Sequence, residues 1–460
     1  MTVLKSNHAK LGWYQLSITK AQASPYYKQK KFIFLLVLVS LVSLFNFLNP
    51  EKTSTTVSNV FLSRVKVAPP IKFGPKPYYM QNGIVYPKEA KFNAKLGRRD
   101  AKLLPEEDPD TYDRFENQLM FVPPNYYKTR DLKKNKTLLM YGGYEGWWGI
   151  AGPNMATWFS DRKCPVDTCR FSLNKSDAET ADFLMFSSQH DAINVKRTPN
   201  QIYAFYRLES PIHYPGRYPK SLIYNWTITY RHDSTIPIPY SKWAYYDPKI
   251  THMPQTRNFA QNRTKKVVWM VSNCEAHNDR DVYVRELQKY IQVDVYGKCG
   301  TFNCTDTDKC LRQFAKDYKF YLGFENSHCA DYVTEKVYRN SLGRGGIIPV
   351  VLGARKEDYE RQLPYKSFIY VEDFATPKDL AEYLHKVDKD DDLYNSYFQW
   401  VGTGEIHTLY PSLFTFFWCR VCAMLHDDYT MSHPRWYEDI NKWWFDPDTL
   451  RRGFWRNTRS

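Results

Sequence analysis

The run from Phe320 to Lys336 (FYLGFENSHCADYVTEK) sets an acid beside an amine just past a short apolar stretch. Phe320 to Phe324 reads as a buried strand that ends at the polar pair Glu325-Asn326. Asp331, Tyr332, Glu335 and Lys336 then fall within one expected helix start. This grouping suits a nucleotide. A helix N-terminus offers free N–H groups to phosphate, a lysine adds a full positive charge, and a carboxylate can accept ribose hydroxyls. By spacing alone, Glu335-Lys336 fits a solvated helical face equally well.

The surrounding elements must hold such a site. Thr137 to Tyr141, Phe183 to Phe186, Gln201 to Tyr206 and Trp226 to Tyr230 read as strands. A second set begins with strand Lys266 to Val271, helix Asp279 to Ile291 and strand Gln292 to Tyr296. It continues with strand Phe320 to Phe324, helix Val333 to Leu342, strand Ile347 to Leu352 and helix Thr376 to Lys386. Apolar strands alternating with helices predict parallel sheets with ligands at their C-terminal edges. Two such sets predict an α/β chain with two Rossmann-like domains facing a cleft, the GT-B arrangement. The tail, dense in tryptophan, predicts a helix over Pro434 to Trp444 that packs on the domains.

The Phe320–Lys336 run, continued by Ile347 to Gly353 and Tyr370 to Phe374, resembles the donor-binding signature of the α1,3-fucosyltransferases, glycosyltransferase family 10. The resemblance spans roughly Asn135 to Asp439. It implies the same GT-B fold and an inverting transfer of L-fucose from GDP-β-L-fucose to a sugar hydroxyl. Such a displacement needs a base for the acceptor proton and something to hold the departing diphosphate's charge. Glu209, in the segment Leu208 to Pro211, resembles the family's base. It follows the strand ending at Tyr206, at the edge where an acceptor would lie; without the resemblance it reads as a surface acid before a proline turn. Arg280 and Lys336 are expected at the diphosphate, since a guanidinium fork matches it well. Position alone would make Arg280 an exposed helix-start residue. Asn326 and Tyr332 resemble donor contacts, with a strand-end cap and core packing as their plain readings. Glu335 is assigned to the ribose. Ser272 and Asn273 end the second set's first strand, where a nucleotide loop belongs and where an ordinary turn is equally at home. The segment Tyr230 to Ser234 resembles a family motif in which Arg231 and Asp233 touch substrate; a buried structural ion pair explains them as well.

Asp-x-Asp strings begin at Asp108, Asp279, Asp306, Asp388, Asp390 and Asp446. All but the Asp279 pair read as solvated acids, and Asp279 and Asp281 suit a helix start through its dipole. The resemblance implies no obligatory metal and no cofactor beyond the donor, with stimulation by a divalent cation left open. As for the acceptor, vertebrate Lewis-type relatives carry a His-His-(Trp/Arg)-acid segment after the early cysteine pair. Here the comparable stretch, Ser187 to Asp191, departs from it. The segments Cys164–Cys169, Trp418–Cys422 and Pro434–Tyr437 most resemble the invertebrate core enzymes, which modify the innermost GlcNAc of N-glycans. A Lewis-type enzyme or a non-catalytic lumenal sugar-binding protein are the alternatives.

The chain has 460 residues and a formal charge of +15, with 17% aromatic residues. The charge invites a phosphorylated substrate or anionic lipid. Without a nucleic-acid motif, a nucleic-acid partner is discounted. Phe32 to Leu48 is an apolar run preceded by Lys20, Lys28, Lys30 and Lys31. It reads as an uncleaved type II signal anchor with the basic side in the cytosol. The expected organisation is a cytosolic tail (1–31), an anchor (32–48), a stem (49–131), an acceptor-side domain (132–260), a GDP-fucose domain (261–400) and a C-terminal tail (401–460), the whole in the Golgi membrane with its catalytic part lumenal.

All nine cysteines lie at Cys164 or beyond, on the expected lumenal side. The pairs Cys164/Cys169 and Cys419/Cys422 fit either a four-thiolate zinc site or two disulfides, and an oxidising lumen favours disulfides. The resemblance implies that the late pair staples back to the early one. Five cysteines remain, so at least one is free or pairs between chains. Sequons at Asn135, Asn174, Asn225, Asn262 and Asn303 suit the same compartment. Oligomeric state is not legible.

Overall fold

The computed structural model describes residues 71–451 apart from 109–113, 142–153, 188–193, 195, 215, 345 and 410–413. The expected anchor at 32–48 lies outside the described residues. Among the described residues, no helix is long and apolar enough to cross a membrane.

Two parallel sheets form the frame. The first contains β1 (Lys136–Met140), β2 (Cys169–Ser172), β3 (Phe183–Phe186), β4 (Ile202–Arg207), β5 (Trp226–Thr229) and β6 (Ile236–Pro237). Its strand order is β6-β5-β4-β3-β1-β2. After β7 (Ser241–Tyr245) comes the second sheet, with β8 (Lys265–Met270), β9 (Val293–Tyr296), β10 (Tyr318–Phe324), β11 (Ile348–Leu352) and β12 (Ile369–Tyr370) in the order β9-β8-β10-β11-β12. Every pairing in both sheets is parallel. β3, β4, β5, β10 and β11 are buried at every residue, which is why β3, β4, β10 and β11 read as near-continuous apolar runs, whereas β5 alternates Trp-Thr-Ile-Thr with its threonines buried as well. The expected α/β architecture of two Rossmann-like sheets is therefore present.

The second sheet's order reverses between β8 and β10. Open parallel sheets bind ligands in the crevice outside the strands' carboxyl ends at such a point. The loops there run from Val271 to α2 (Arg280–Leu287) and from Glu325 to α4 (Glu335–Tyr338). α4 is much shorter than the helix expected over Val333 to Leu342.

Helices cover the second sheet's faces. α3 (Thr307–Asp317) starts at Asp306, whose carboxylate accepts from the Lys309 N–H. α6 (Pro377–Lys389) starts at Thr376, whose hydroxyl accepts from the Asp379 N–H. Asp390 likewise caps Asp391–Ser396, and Asp388 pairs with Lys266 and Lys319. These acids of the Asp-x-Asp strings thus serve helix starts and a structural ion cluster rather than solvent alone. Two disulfides bind the C-terminal helix α7 (Phe414–Leu425) to the first sheet's side, Cys164–Cys419 and Cys169–Cys422. The same four sulfurs are therefore not available to zinc. Cys274–Cys299 and Cys304–Cys310 pair four of the remaining five cysteines, and Cys329 is free and buried.

The stem expectation needs correction over its described part. Leu103, Leu104, Phe115, Leu119, Phe121, Val122 and Tyr126 are buried and join the first core. Arg99, also buried, pairs with Glu107 at 2.8 Å and Asp427 at 3.0 Å. Gln118, in α1 (Arg114–Leu119), accepts from buried Arg420 of α7 at 3.0 Å. Apolar pairs such as Leu103-Leu104 plug a core without forming any element long enough to show a period.

One sequon also needs correction. Asn225 is 1% exposed. Its amide nitrogen donates to the Arg435 carbonyl at 2.9 Å and its oxygen accepts from the Tyr203 N–H at 3.0 Å. An amide so spent cannot carry a glycan in the folded protein. Asn174, Asn262 and Asn303 are exposed and Asn135 half-buried. Glycopeptide mass spectrometry of the mature protein is expected to find Asn225 unmodified and glycans only among the other four.

Candidate active site

Glu209 follows β4 at its carboxyl end and reaches across to the second sheet's loops. The Tyr332 hydroxyl donates to its Oε2 at 2.7 Å, and the Tyr240 hydroxyl lies 3.5 Å from Oε1. Beside it, the Ser210 and Ser327 hydroxyls are 2.7 Å apart. The loop after β5 makes a third crossing, where His232 donates its N–H to Asp331 at 3.1 Å and its Nδ1 lies 2.6 Å from the same carboxylate oxygen. The carboxyl-end loops of the two sheets thus meet at Ser327 to Tyr332, and Glu209 stands at that meeting.

Lys336 is braced by carboxylates. Its Nζ lies 3.1 Å from Glu325, 3.3 Å from Glu335 and 2.8 Å from the Thr334 hydroxyl. Burial alone would lower its pKa, but the two carboxylates outweigh it and raise it, so the amine stays charged. Burial raises the pKa of Glu325, with Lys336 opposing. Burial would also raise Glu335, yet neighbouring Lys336 outweighs it and leaves the acid below its usual range. Glu325 also accepts from the Thr334 N–H at 2.8 Å. The helix start expected to offer N–H groups to phosphate is therefore partly capped from within, and α4 has four residues, too few for much of a dipole. Gly353 makes room for this brace. Its φ is +139°, and a Cβ there would sit 2.6 Å from the Glu325 Cβ.

Arg280 does not stand exposed at its helix start. It is buried, and its terminal nitrogens donate to the Phe324 carbonyl at 2.7 Å and the Asn273 carbonyl at 3.0 Å. It ties the β10 end to the β8 loop, and burial lowers its pKa. Asn278 adds a parallel tie, donating to the Glu325 carbonyl at 2.9 Å. Ser272 and Asn273, after β8, are exposed, and Asn326, after β10, is half-buried and accepts from Ser327 at 3.1 Å. Ser272, Asn273 and Arg280 thus follow β8 on one side of the crevice, and Asn326, Glu335 and Lys336 follow β10 on the other. Tyr332 is drawn instead toward Glu209.

Arg231 and Asp233 pair with each other. Arg231 Nε donates to Asp233 Oδ1 at 2.9 Å, and Nη1 donates to the Trp443 carbonyl at 2.8 Å. The Trp443 indole N–H completes the set on Asp233 at 3.0 Å. The ion pair of the plain reading is thus present, with Arg231 buried and Asp233 still partly exposed. The pair anchors α8 (Ile440–Trp444), which is shorter than the helix expected from Pro434.

Glu325, Thr334, Tyr240, Ser210, Ser327, His232 and Asp331 went unassigned in the sequence. Glu325 carried the best signal, because an acid closing an unbroken apolar strand needs a nearby cation. The others have partners on distant segments, and no local pattern marks them. Of the Ser187 to Asp191 stretch, only Ser187 is described. Among the described residues, the one metal-like cluster is Cys169, Cys422 and His426, and its two sulfurs are bonded to each other.

The pair Lys336–Glu325 makes a pH prediction. Glu325 has a raised folded pKa, so its stabilising share is full below the unfolded carboxyl range and is lost as pH rises through the folded value. Lys336→Ala removes the opposing charge and deepens that loss. The melting-temperature gap between parent and variant should therefore be wider at pH 8 than at pH 5. An equal gap at both would show that Lys336 does not compensate Glu325.

Residues 260–443 match the family model described as glycosyltransferase family 10 (fucosyltransferase) C-term, and residues 133–241 match fucosyltransferase, N-terminal. Glycoprotein 3-alpha-L-fucosyltransferase A of Drosophila melanogaster is 47% identical over 393 residues, covering 84% of this chain and 76% of that protein. The bovine 4-galactosyl-N-acetylglucosaminide 3-alpha-L-fucosyltransferase 9 is 39% identical over 246 residues, 53% of this chain and 65% of that one. A solved alpha1,3-fucosyltransferase with GDP is 17% identical, with a TM-score of 0.42, covering 65% of this chain and 93% of that chain.

Proposed function

Since this chain belongs to glycosyltransferase family 10 and is a fucosyltransferase, we propose that it moves L-fucose from GDP-β-L-fucose, with inversion, in α1,3 linkage to the innermost GlcNAc of N-glycans. The observation that carries this reading is the meeting of Glu209 with the segment that leads into Glu335 and Lys336. A base on one sheet's loops and cationic groups on the other's suit a single displacement. Glu209 takes the acceptor hydroxyl's proton as the hydroxyl oxygen attacks the anomeric carbon. The bond to the diphosphate breaks on the opposite face, and Lys336 stabilises the departing charge. Arg280 contributes to that field while holding the two loops at their spacing. Glu335 takes the ribose hydroxyls, and Ser272, Asn273 and Asn326 line the crevice for the remaining donor contacts. No metal is needed where fixed cations do this work.

A glycoprotein acceptor is supported by the similarity to the Drosophila glycoprotein 3-alpha-L-fucosyltransferase A, at higher identity than the bovine galactosyl-N-acetylglucosaminide enzyme, and the innermost GlcNAc by the resemblance of the Cys164–Cys169, Trp418–Cys422 and Pro434–Tyr437 segments to the core enzymes. A type II Golgi location with a lumenal catalytic part is supported by the four disulfides and by the basic flank before Phe32.

The test is incubation of the full chain with GDP-fucose and two kinds of N-glycopeptide, one with an unmodified core and one with galactosyl-GlcNAc antennae. Mass spectrometry with linkage analysis should find α1,3-fucose on the core GlcNAc. Antennal product alone would make it a Lewis-type enzyme, and no product on either would remove the reading. Lys336→Ala should weaken GDP binding about 10- to 100-fold, the share of a charge-assisted contact. Unchanged GDP affinity by calorimetry would remove Lys336 from the phosphate site.

A further inference from the structure

Tyr332 lies in the donor-side segment, yet its hydroxyl is spent on the acceptor side. It is 1% exposed, with its ring edge-on to Tyr230 at 5.0 Å and to Tyr240 at 6.0 Å. The hydroxyl donates to Glu209 Oε2 at 2.7 Å. Burial first, then neighbouring Tyr240 and Glu209, push its pKa well up, so the phenol keeps the proton it donates. The turn before it is unusually fixed. Asp331 holds φ at +62°, in the left-handed region that aspartate tolerates better than most residues. His232 grips its carboxylate from the first sheet's loops, and Asp358 accepts its N–H at 3.0 Å from the second sheet's side. Ser210 and Ser327 lock the other end of the same segment.

We infer that Tyr332 is a positioning residue: its hydroxyl aims the Glu209 carboxylate at the acceptor, so that the base is set by the segment that leads into the donor site. This rests on Glu209 being the base. The geometry favours it over a direct donor contact, because a phenol has one proton to donate and the carboxylate holds it. Among the described residues, the second carboxylate oxygen has only a long contact to Tyr240, whose hydroxyl also donates to the Leu208 carbonyl at 3.1 Å. Glu209 therefore depends chiefly on Tyr332 for its orientation.

The test is Tyr332→Phe in the full chain, alone and combined with Glu209→Gln. GDP affinity, melting temperature, kcat and acceptor KM are measured on each preparation. Alone, Tyr332→Phe should lower kcat about 10- to 100-fold, the share of a hydrogen bond to a charged group, with GDP affinity within about twofold. In the Glu209→Gln background the same change should alter residual transfer by less than about twofold, because residues acting as one unit are not additive. A normal kcat in Tyr332→Phe overturns the inference. So does an equal drop in both backgrounds, or a loss of GDP affinity matching the loss of kcat/KM, which would return Tyr332 to the donor contacts. Near-normal turnover of Glu209→Gln by itself would instead show that the base reading has failed, and this inference with it. Tyr240→Phe checks the ring cluster and should cost less than Tyr332→Phe; an equal cost would overturn the special role of Tyr332.

Discussion

Glu209→Gln is expected to lower fucosyl transfer by about 10²- to 10⁴-fold, the usual share of a general base, while GDP affinity stays near that of the parent. Glutamine keeps the size of the side chain and can still accept from the Tyr332 hydroxyl, so the meeting of the two sheets' loops is preserved. It cannot take a proton from the acceptor at neutral pH. A residue that only cements the loops would give a different pattern, with a lower melting temperature and near-normal turnover per folded molecule. Melting, GDP binding and initial rate on one preparation separate the two. A folded, GDP-competent variant with near-normal rate would eliminate Glu209. Asp233 is then no ready substitute, since both its oxygens are engaged by Arg231 and one also by Trp443.

Loss of both long-range disulfides is expected to be far worse than loss of either. Cys164–Cys419 and Cys169–Cys422 span 255 and 253 residues, so they close almost the same loop. With one intact, the other closes only the small ring left between the two. In the chain-entropy description a ring of about ten residues contributes about 2–3 kcal/mol, and a loop of some 250 residues about 5 kcal/mol. Cys164→Ala/Cys419→Ala or Cys169→Ala/Cys422→Ala should therefore each cost about 2–3 kcal/mol, and the fourfold variant about 8 kcal/mol, comparable with the whole stability margin of a domain. Urea unfolding of the three variants measures this. Equal, additive losses would show that the bridges act separately, through local packing of α7 rather than through the shared loop.

The site's logic links these two expectations. α7 is buried against the first sheet, whose β4 leads into Glu209. The bridges stabilise that sheet far from the chemistry, whereas the crossings at Ser210, His232 and Tyr332 set the geometry near it. The first set should govern how much protein is folded, and the second how fast each folded molecule turns over.

Much of this was legible in the residues. Near-continuous apolar runs located β1, β3, β4, β8, β10 and β11, and the Trp-Thr-Ile-Thr pattern located β5, each to within a residue or two, because strands buried on both faces have few polar positions to obscure them. The capped pattern beginning at Thr376 located α6. The segment from Phe320 to Lys336 fitted a nucleotide by local chemistry no better than it fitted a solvated helical face, and its resemblance to the family signature tipped the reading. What the chain did not disclose was where each polar group spends its charge or proton. Cys419 and Cys422 share a helix face, but their partners lie some 250 residues away. Asn225 has a perfect local sequon and no access. Arg280 starts a helix as expected, yet packing turns its guanidinium inward onto two carbonyls. Tyr332 belongs by sequence to the donor segment and by contact to Glu209. Periodicity and capping are settled by neighbours a few residues apart, so the sequence determined them. Partnership across the cleft depends on the order in which parallel strands assemble and on which loops their carboxyl ends bring together, and only the tertiary structure decides that.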